Sequence, residues 1–389
     1  MLRIFALIAV ICAATIVVAS PIVVNCDQGQ SLNRTLSMLN KDVPATVVVK
    51  GTCTEYVRLS GFEGLTLKGL PGANLRQPST DTGTGLDIFV LSIEASRRVT
   101  VDGIDVHSRS SATAGIGIGR GSSDVRLRNL TVDGSGMFGV NVYETSEASL
   151  AKVTARDPGY CTVGVFGTSH VHIEDSLLEN STGAEWHTGL QVGPGDVNIH
   201  GTTIRNMTVG LFVTGGSVSI NEDTSYYPLG GGVKDLTIEN PAGSNWFGVW
   251  ILNGGLVNVG NANLRITKAG QSWGYFTGAV SVSGGSTLKA DNNLGGNLVV
   301  SGSQGQGVFV SDNSHASLNG ASITGSGHGG LVALNLSTIA VAGDVGNVIS
   351  GNAVDLFCDS KSLISGRTNV AYASAQCANL LDGSFEAVP

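Results

Sequence analysis

Gly115-Ile116-Gly117-Ile118, Gly139-Val140-Asn141-Val142, Gly189-Leu190-Gln191-Val192, Gly210-Leu211-Phe212-Val213, Gly248-Val249-Trp250-Ile251 and Gly307-Val308-Phe309-Val310 are one phrase written six times. Each reads glycine, apolar, any residue, apolar. Looser copies are Thr162-Val163-Gly164-Val165, Ala279-Val280-Ser281-Val282, Gly330-Leu331-Val332-Ala333 and Asp355-Leu356-Phe357. The first apolar positions are 116, 140, 163, 190, 211, 249, 280, 308, 331 and 356, so the mean spacing is (356 − 116)/9, about 27 residues. That period belongs to stacked structural repeats.

Further short alternating runs fill each period. Val125-Arg126-Leu127 and Leu130-Thr131-Val132 follow Ile116, and Val171-His172-Ile173 with Leu177-Leu178 follow Val163. Ser317-Leu318 and Ala321-Ser322-Ile323 follow Val308. Turn residues bound each run, as expected of strands a few residues long. Three short strands per period predict a parallel β-helix with the apolar residues stacked inside. A propeller blade needs four antiparallel strands in about 40–45 residues, which most of these periods cannot hold.

Composition agrees. Glycine is 55 of 389 residues, proline only 9, and charged residues are 13% with a net charge of −8. Nucleic acid is not expected as a partner, because phosphates need many basic side chains. A large helical protein is excluded because surface helices carry dense Glu and Lys pairs.

The ends differ from the middle. Met1-Leu2-Arg3, the apolar run Ile4 to Val18 and the small residues to Ala19 predict a signal peptide over 1–19. The chain from Ser20 is then expected to be secreted, extracellular or periplasmic, with no membrane insertion and a net charge of −9 once Arg3 is lost. Cys12 follows Ile11 where a lipoprotein site needs a small residue, so lipidation is not expected. Of the remaining cysteines two lie near each end. The expected disulfides are Cys26–Cys53 and Cys358–Cys377, with Cys161 left as a buried thiol. Residues 20–45 are read as a cap segment. Ser31 is its helix N-cap, and Leu32, Leu36 and Leu39 share one helical face. Residues 46–389 are read as the coil, without a linker.

The rung phrase, from Thr46 to the C-terminus, resembles that of secreted right-handed parallel β-helix proteins of the pectin-lyase-like superfamily. Val24-Asn25-Cys26 and Val47-Val48-Val49-Lys50-Gly51-Thr52-Cys53-Thr54-Glu55 resemble the opening of exported bacterial members without assigned activity. The resemblance implies an all-β, single-stranded right-handed parallel β-helix. It also implies a substrate groove along one strand stack and the loops before it. One fold hosts many activities, so function has to be argued from the site.

The Gly-phrase strands follow the longest insertions and are taken as that stack. Their middle residues point outward and include Gln191, Phe212, Trp250 and Phe309. The preceding loops carry Trp186, Trp246 and Trp273, so all four tryptophans fall at one angular position. Sugar rings stack on aromatic faces, and their hydroxyls take hydrogen bonds from polar side chains. The reading is a polysaccharide-binding flank, with glycoside hydrolase or lyase activity left open. A non-catalytic surface adhesin or scaffold that binds other proteins is the alternative, with the aromatics as cladding. Glycosidases need two carboxylates, and Asp157, Glu179 and Glu185 on adjacent rungs are the catalytic candidates, set against ordinary turn acids.

Two further patterns carry less. Gly327-His328-Gly329 matches one element of the polygalacturonase motif, but Asn-Thr-Asp and Asp-Asp are missing and Arg265-Ile266-Thr267-Lys268 has the wrong spacing. That activity is not transferred. His170, His172 and Glu174 share one strand face, with Asp196, Asn198 and His200 expected on the next rung. No second shell is visible to orient the rings, so neither a high-affinity metal nor any cofactor is expected.

Overall fold

The computed structural model describes residues 20–79, 89–108, 113–181, 186–221, 234–240, 246–270, 277–290, 296–342, 346–366 and 369–382. The segment read as a signal peptide, 1–19, lies outside them. Among the described residues the strands form a 13-stranded and a 26-stranded sheet, and their pairings are parallel. Ile116, Val140, Val163, Leu190, Leu211, Val249, Val280, Val308, Leu331 and Leu356 stand in one register column of the 13-stranded sheet. These are the ten positions of the repeat arithmetic. The sheet continues to Leu91 and Val57 before them and to Ala375 after them. At about 4.8 Å per rung, the stack is roughly 60 Å long.

The other two strands of each rung make up the 26-stranded sheet. They fuse because Val125–Asp133 and Glu147–Arg156 each run through both positions. Asn129 (φ 52) and Lys152 (φ 55), both left-handed, bend them midway. Inside, Leu178, Ile204, Ile238, Ile266, Val300 and Ile323 form one unbroken aliphatic column, almost wholly buried.

The glycine that opens the phrase has a steric cause. A Cβ on Gly210 would lie 2.6 Å from the carbonyl oxygen of Gly248, and one on Gly248 would lie 2.6 Å from that of Ala279. Each would also meet an isoleucine methyl of the same rung, Ile238 or Ile266, at 2.6 Å. Where the phrase opens with Thr162 instead, its hydroxyl donates to the carbonyl of Gly189 on the next rung.

A second device, at the corner after these strands, is a column of buried serines. The Ser286 N–H donates to Ser314 Oγ, Ser314 N–H to Ser337 Oγ and Ser337 N–H to Ser362 Oγ, each at 3.2 Å. The hydroxyls satisfy backbone donors that a turn would otherwise leave buried and unpaired.

At the N-terminus Leu32–Ser37 is a short helix. Ser31 Oγ accepts from the Arg34 N–H at 3.2 Å, and Leu32 and Leu36 are buried. Glu55 accepts from the N–H groups of Leu32 and Asn33 at 2.6 and 3.3 Å, which completes the helix start. Ile22–Asn25 pairs with Ala45–Lys50, so the strand stack begins inside the segment read as cap alone.

Cys26–Cys53 and Cys358–Cys377 are disulfides, which suits an oxidising compartment outside the cytoplasm. Among the described residues no helix is long and apolar enough to cross a membrane. Cys161 is free and buried, and burial pushes its thiol pKa up to about 12. The thiolate is the reactive species. The chain from Ser20, which lacks Cys12, should therefore resist iodoacetamide at pH 8 and take up one label per chain only after unfolding. Rapid labelling of the native chain would contradict this burial.

Candidate functional site

The outward row of the 13-stranded sheet reads Ser92, Gly117, Asn141, Gly164, Gln191, Phe212, Trp250, Ser281, Phe309, Val332, Phe357 and Gln376. Arg58 heads the row before Ser92 and is ion-paired to Glu94, and from Ser92 to Gln376 the row contains no ionisable side chain. Phe212 and Trp250 are half-buried register neighbours, stacked with centroids 5.0 Å apart and 30° between planes. Phe247, from the start of the same strand, lies against Trp250 at 4.6 Å and 16°. The three rings form one slab on the sheet.

Two tryptophans of the preceding loops form its rim. Trp186 is 44% exposed and meets the half-buried Trp246 edge to face, 5.0 Å apart at 88°. They belong to rungs two apart, and the intervening turn around Thr208 is short. The backbone N–H of Trp246 donates to the carbonyl of Thr208 at 2.8 Å, and that of His187 donates to its hydroxyl at 3.2 Å. That shared anchor brings the two rings together. Gln191, half-buried, stands between Gly164 and Phe212.

Phe309 corrects an expectation. Its position on the strand is outward, yet only 1% of it is exposed. Direction from a strand does not confer exposure where the flank is covered. Its ring lines an apolar recess of ≈ 260 Å³ with Gln306, His328, Val332, Phe357 and Gln376. The Gly327-His328-Gly329 run lies in this wall. The aromatic row is therefore a central slab, Ser281, and then a covered ring, rather than a continuous exposed track.

Further rings lie where the row has glycine. A Cβ on Gly117 would meet the Phe89 ring at 2.6 Å, and one on Gly164 would meet the rings of Phe138 and Phe166 at 2.8 Å. Tyr143 stacks on Phe89 at 6.0 Å, and Phe138 meets Phe166 at 5.8 Å edge to face. The signal in the sequence is a glycine at an outward position with aromatics at the ends of adjacent strands.

The candidate carboxylates are engaged. Asp157 accepts from the Ser181 N–H at 2.5 Å and from its hydroxyl at 2.8 and 2.7 Å, so it ties two rungs together. Glu179 accepts from Arg205 Nε and Nη2 at 2.8 and 2.5 Å. It belongs to a register column in which charge alternates through Asp133, Arg156, Glu179, Arg205 and Glu239. A hydrogen bond from Arg156 to Asp133, 3.2 Å, holds the pKa of that arginine above its ordinary value. Glu185 and Trp273 lie outside the described residues.

Residues 90–225 match the family model described as the right handed beta helix region. No curated protein matches the chain by sequence. Among solved structures it is similar to PfbA, a surface adhesin of Streptococcus pneumoniae, with 11% identity, 88% and 93% of the two chains covered and a TM-score of 0.40. It is also similar to the catalytic domain of a GH87 alpha-1,3-glucanase, with 13% identity, 92% and 68% covered and a TM-score of 0.38. Pectin methylesterase from carrot is a third, with 9% identity, 74% and 84% covered and a TM-score of 0.32. The fold is a right-handed parallel β-helix.

Proposed function

We propose that the chain is an exported protein whose 13-stranded sheet binds an extended, uncharged polysaccharide across the Phe212–Trp250 slab and the Trp186–Trp246 rim. One observation carries this reading: half-open aromatic rings lie on a sheet row that has no ionisable side chain between Ser92 and Gln376. Flat apolar rings complement the C–H faces of sugars, and amides such as Gln191 suit hydroxyls. Without basic side chains on the row beside the slab, and with Arg58 at its far end held by Glu94, a uronate polymer would lose its hydration for no ionic partner. Binding without hydrolysis is favoured, because Asp157 and Glu179 each already hold a neighbouring rung. A glycan array probed with the purified chain should therefore light up neutral polymers and leave uronates dark. Uronate-selective binding, or binding to no glycan at all, would end this reading.

A further inference from the structure

The outward face of the 26-stranded sheet gathers a second set of polar side chains. His170, His172 and Glu174 alternate along one strand, and in register they face Asp196, Asn198 and His200 of the next rung. Direct register thus sets Glu174 beside His200, while His172 sits one position away on the same face. One ligand atom from each of His172, Glu174 and His200 lies within 4.8 Å of the others. The imidazoles of His172 and His200 meet at 5.2 Å and 61°, and His172 Nε2 is 3.9 Å from Glu174 Oε2. His200 is only 4% exposed, and the side chains of His172 and Glu174 are 29% and 26% exposed. One group of the three is an embedded ring and the other two are half-buried, so they are not solvated tips.

We propose that His172, Glu174 and His200 bind a divalent first-row transition ion of the zinc type. Two imidazole nitrogens and one carboxylate oxygen are the borderline donors such ions take, while calcium or magnesium needs more oxygens. With bonds of about 2.0–2.1 Å, tetrahedral ligand atoms stand about 3.3 Å apart. The 4.8 Å limit therefore asks for closure of at most about 1.5 Å, within the reach of side-chain rotation on two neighbouring strands. A fourth position stays open to water. Asn198, the register partner of His172, has a buried Oδ1 that accepts no hydrogen bond among the described residues. A water held by the ion would supply that donor.

The sequence argues against a metal because nothing visible orients the rings. The structure supplies what was missing by embedding His200 and placing the Asn198 amide beside His172. His170 is outside the set: its side chain is 69% exposed and its Nδ1 lies 3.8 Å from Asp196.

The test uses untagged chain stripped with chelator and titrated with zinc by calorimetry, and with cobalt by its visible ligand-field bands. One ion per chain at micromolar affinity, with tetrahedral cobalt bands, is the expected result. His172→Ala and Glu174→Gln should each weaken binding at least tenfold, with the metal-free melting temperature unchanged, whereas His170→Ala should leave binding as it was. No stoichiometric binding at millimolar zinc would overturn the proposal. So would loss on His170→Ala, or binding indifferent to His172→Ala.

Discussion

Phe309→Ala is expected to lower the unfolding free energy by about 3–5 kcal/mol, the cost of emptying the site of a buried phenylalanine. The ring is 1% exposed and stands in register between Ser281 and Val332. Phe357, one rung beyond Val332 on the same row, is half-exposed. Phe357→Ala should cost clearly less, because part of that ring already faces water. Denaturation followed together by fluorescence and circular dichroism would give both values, provided the two curves coincide. A loss below about 1 kcal/mol for Phe309→Ala would mean that the ring is not part of the packed flank.

The second large effect belongs to the C-terminal disulfide. Replacing both Cys358 and Cys377 by serine opens a crosslink that spans 19 residues, for which the chain-entropy account gives about 3 kcal/mol. Stacked repeats touch only their neighbours. The loss should therefore appear first as fraying of Val370–Leu381, measured as faster amide exchange there than at the Ile116 rung. Asp355 is the other tie to this end, accepting from the N–H groups of Ala373 and Ser374 at 2.7 and 3.2 Å. Burial alone would raise its pKa, but these bonds and those from Asn352 outweigh it and hold the pKa below the usual carboxylate value. A lowered pKa stabilises above the unfolded value and is lost as pH falls through the folded one. Fraying in the serine variant should thus be modest at neutral pH and worsen in acid. Uniform destabilisation of all rungs would contradict a locally held end.

Much of this was legible in the chain. The Gly phrase marks ten register positions because the strand period of two and the rung repeat are both written in apolar residues. The cysteine pairs follow from clustering at the two ends, the Ser31 cap from the helical face it precedes, and the facing of His170, His172 and Glu174 on Asp196, Asn198 and His200 from the rung spacing. Exposure was not legible. Phe309 and Trp250 occupy equivalent positions in the phrase, yet one is covered and the other half-open, because cover depends on what adjacent rungs place over the strand. Pairing across rungs was hidden for the same reason: Glu179 takes Arg205, and Trp186 takes Trp246, through neighbours 26 and 60 residues away. The rings over Gly117 and Gly164 escaped notice because Phe89, Tyr143 and Phe166 lie at strand ends, outside the repeated phrase.

The most direct measurement is a titration of Trp250→Ala with the neutral oligosaccharide that binds the native chain most tightly, alongside the melting temperature of both. Trp250 stacks on Phe212 and Phe247, so some stability, about 1–3 kcal/mol, should be lost with its two ring contacts. That is a smaller loss than at Phe309. A ring that also covers a sugar face adds on the order of 1 kcal/mol to binding, so affinity should fall several-fold in protein that is still fully folded at the assay temperature. Unchanged affinity in folded Trp250→Ala would contradict the account and leave the slab as cladding.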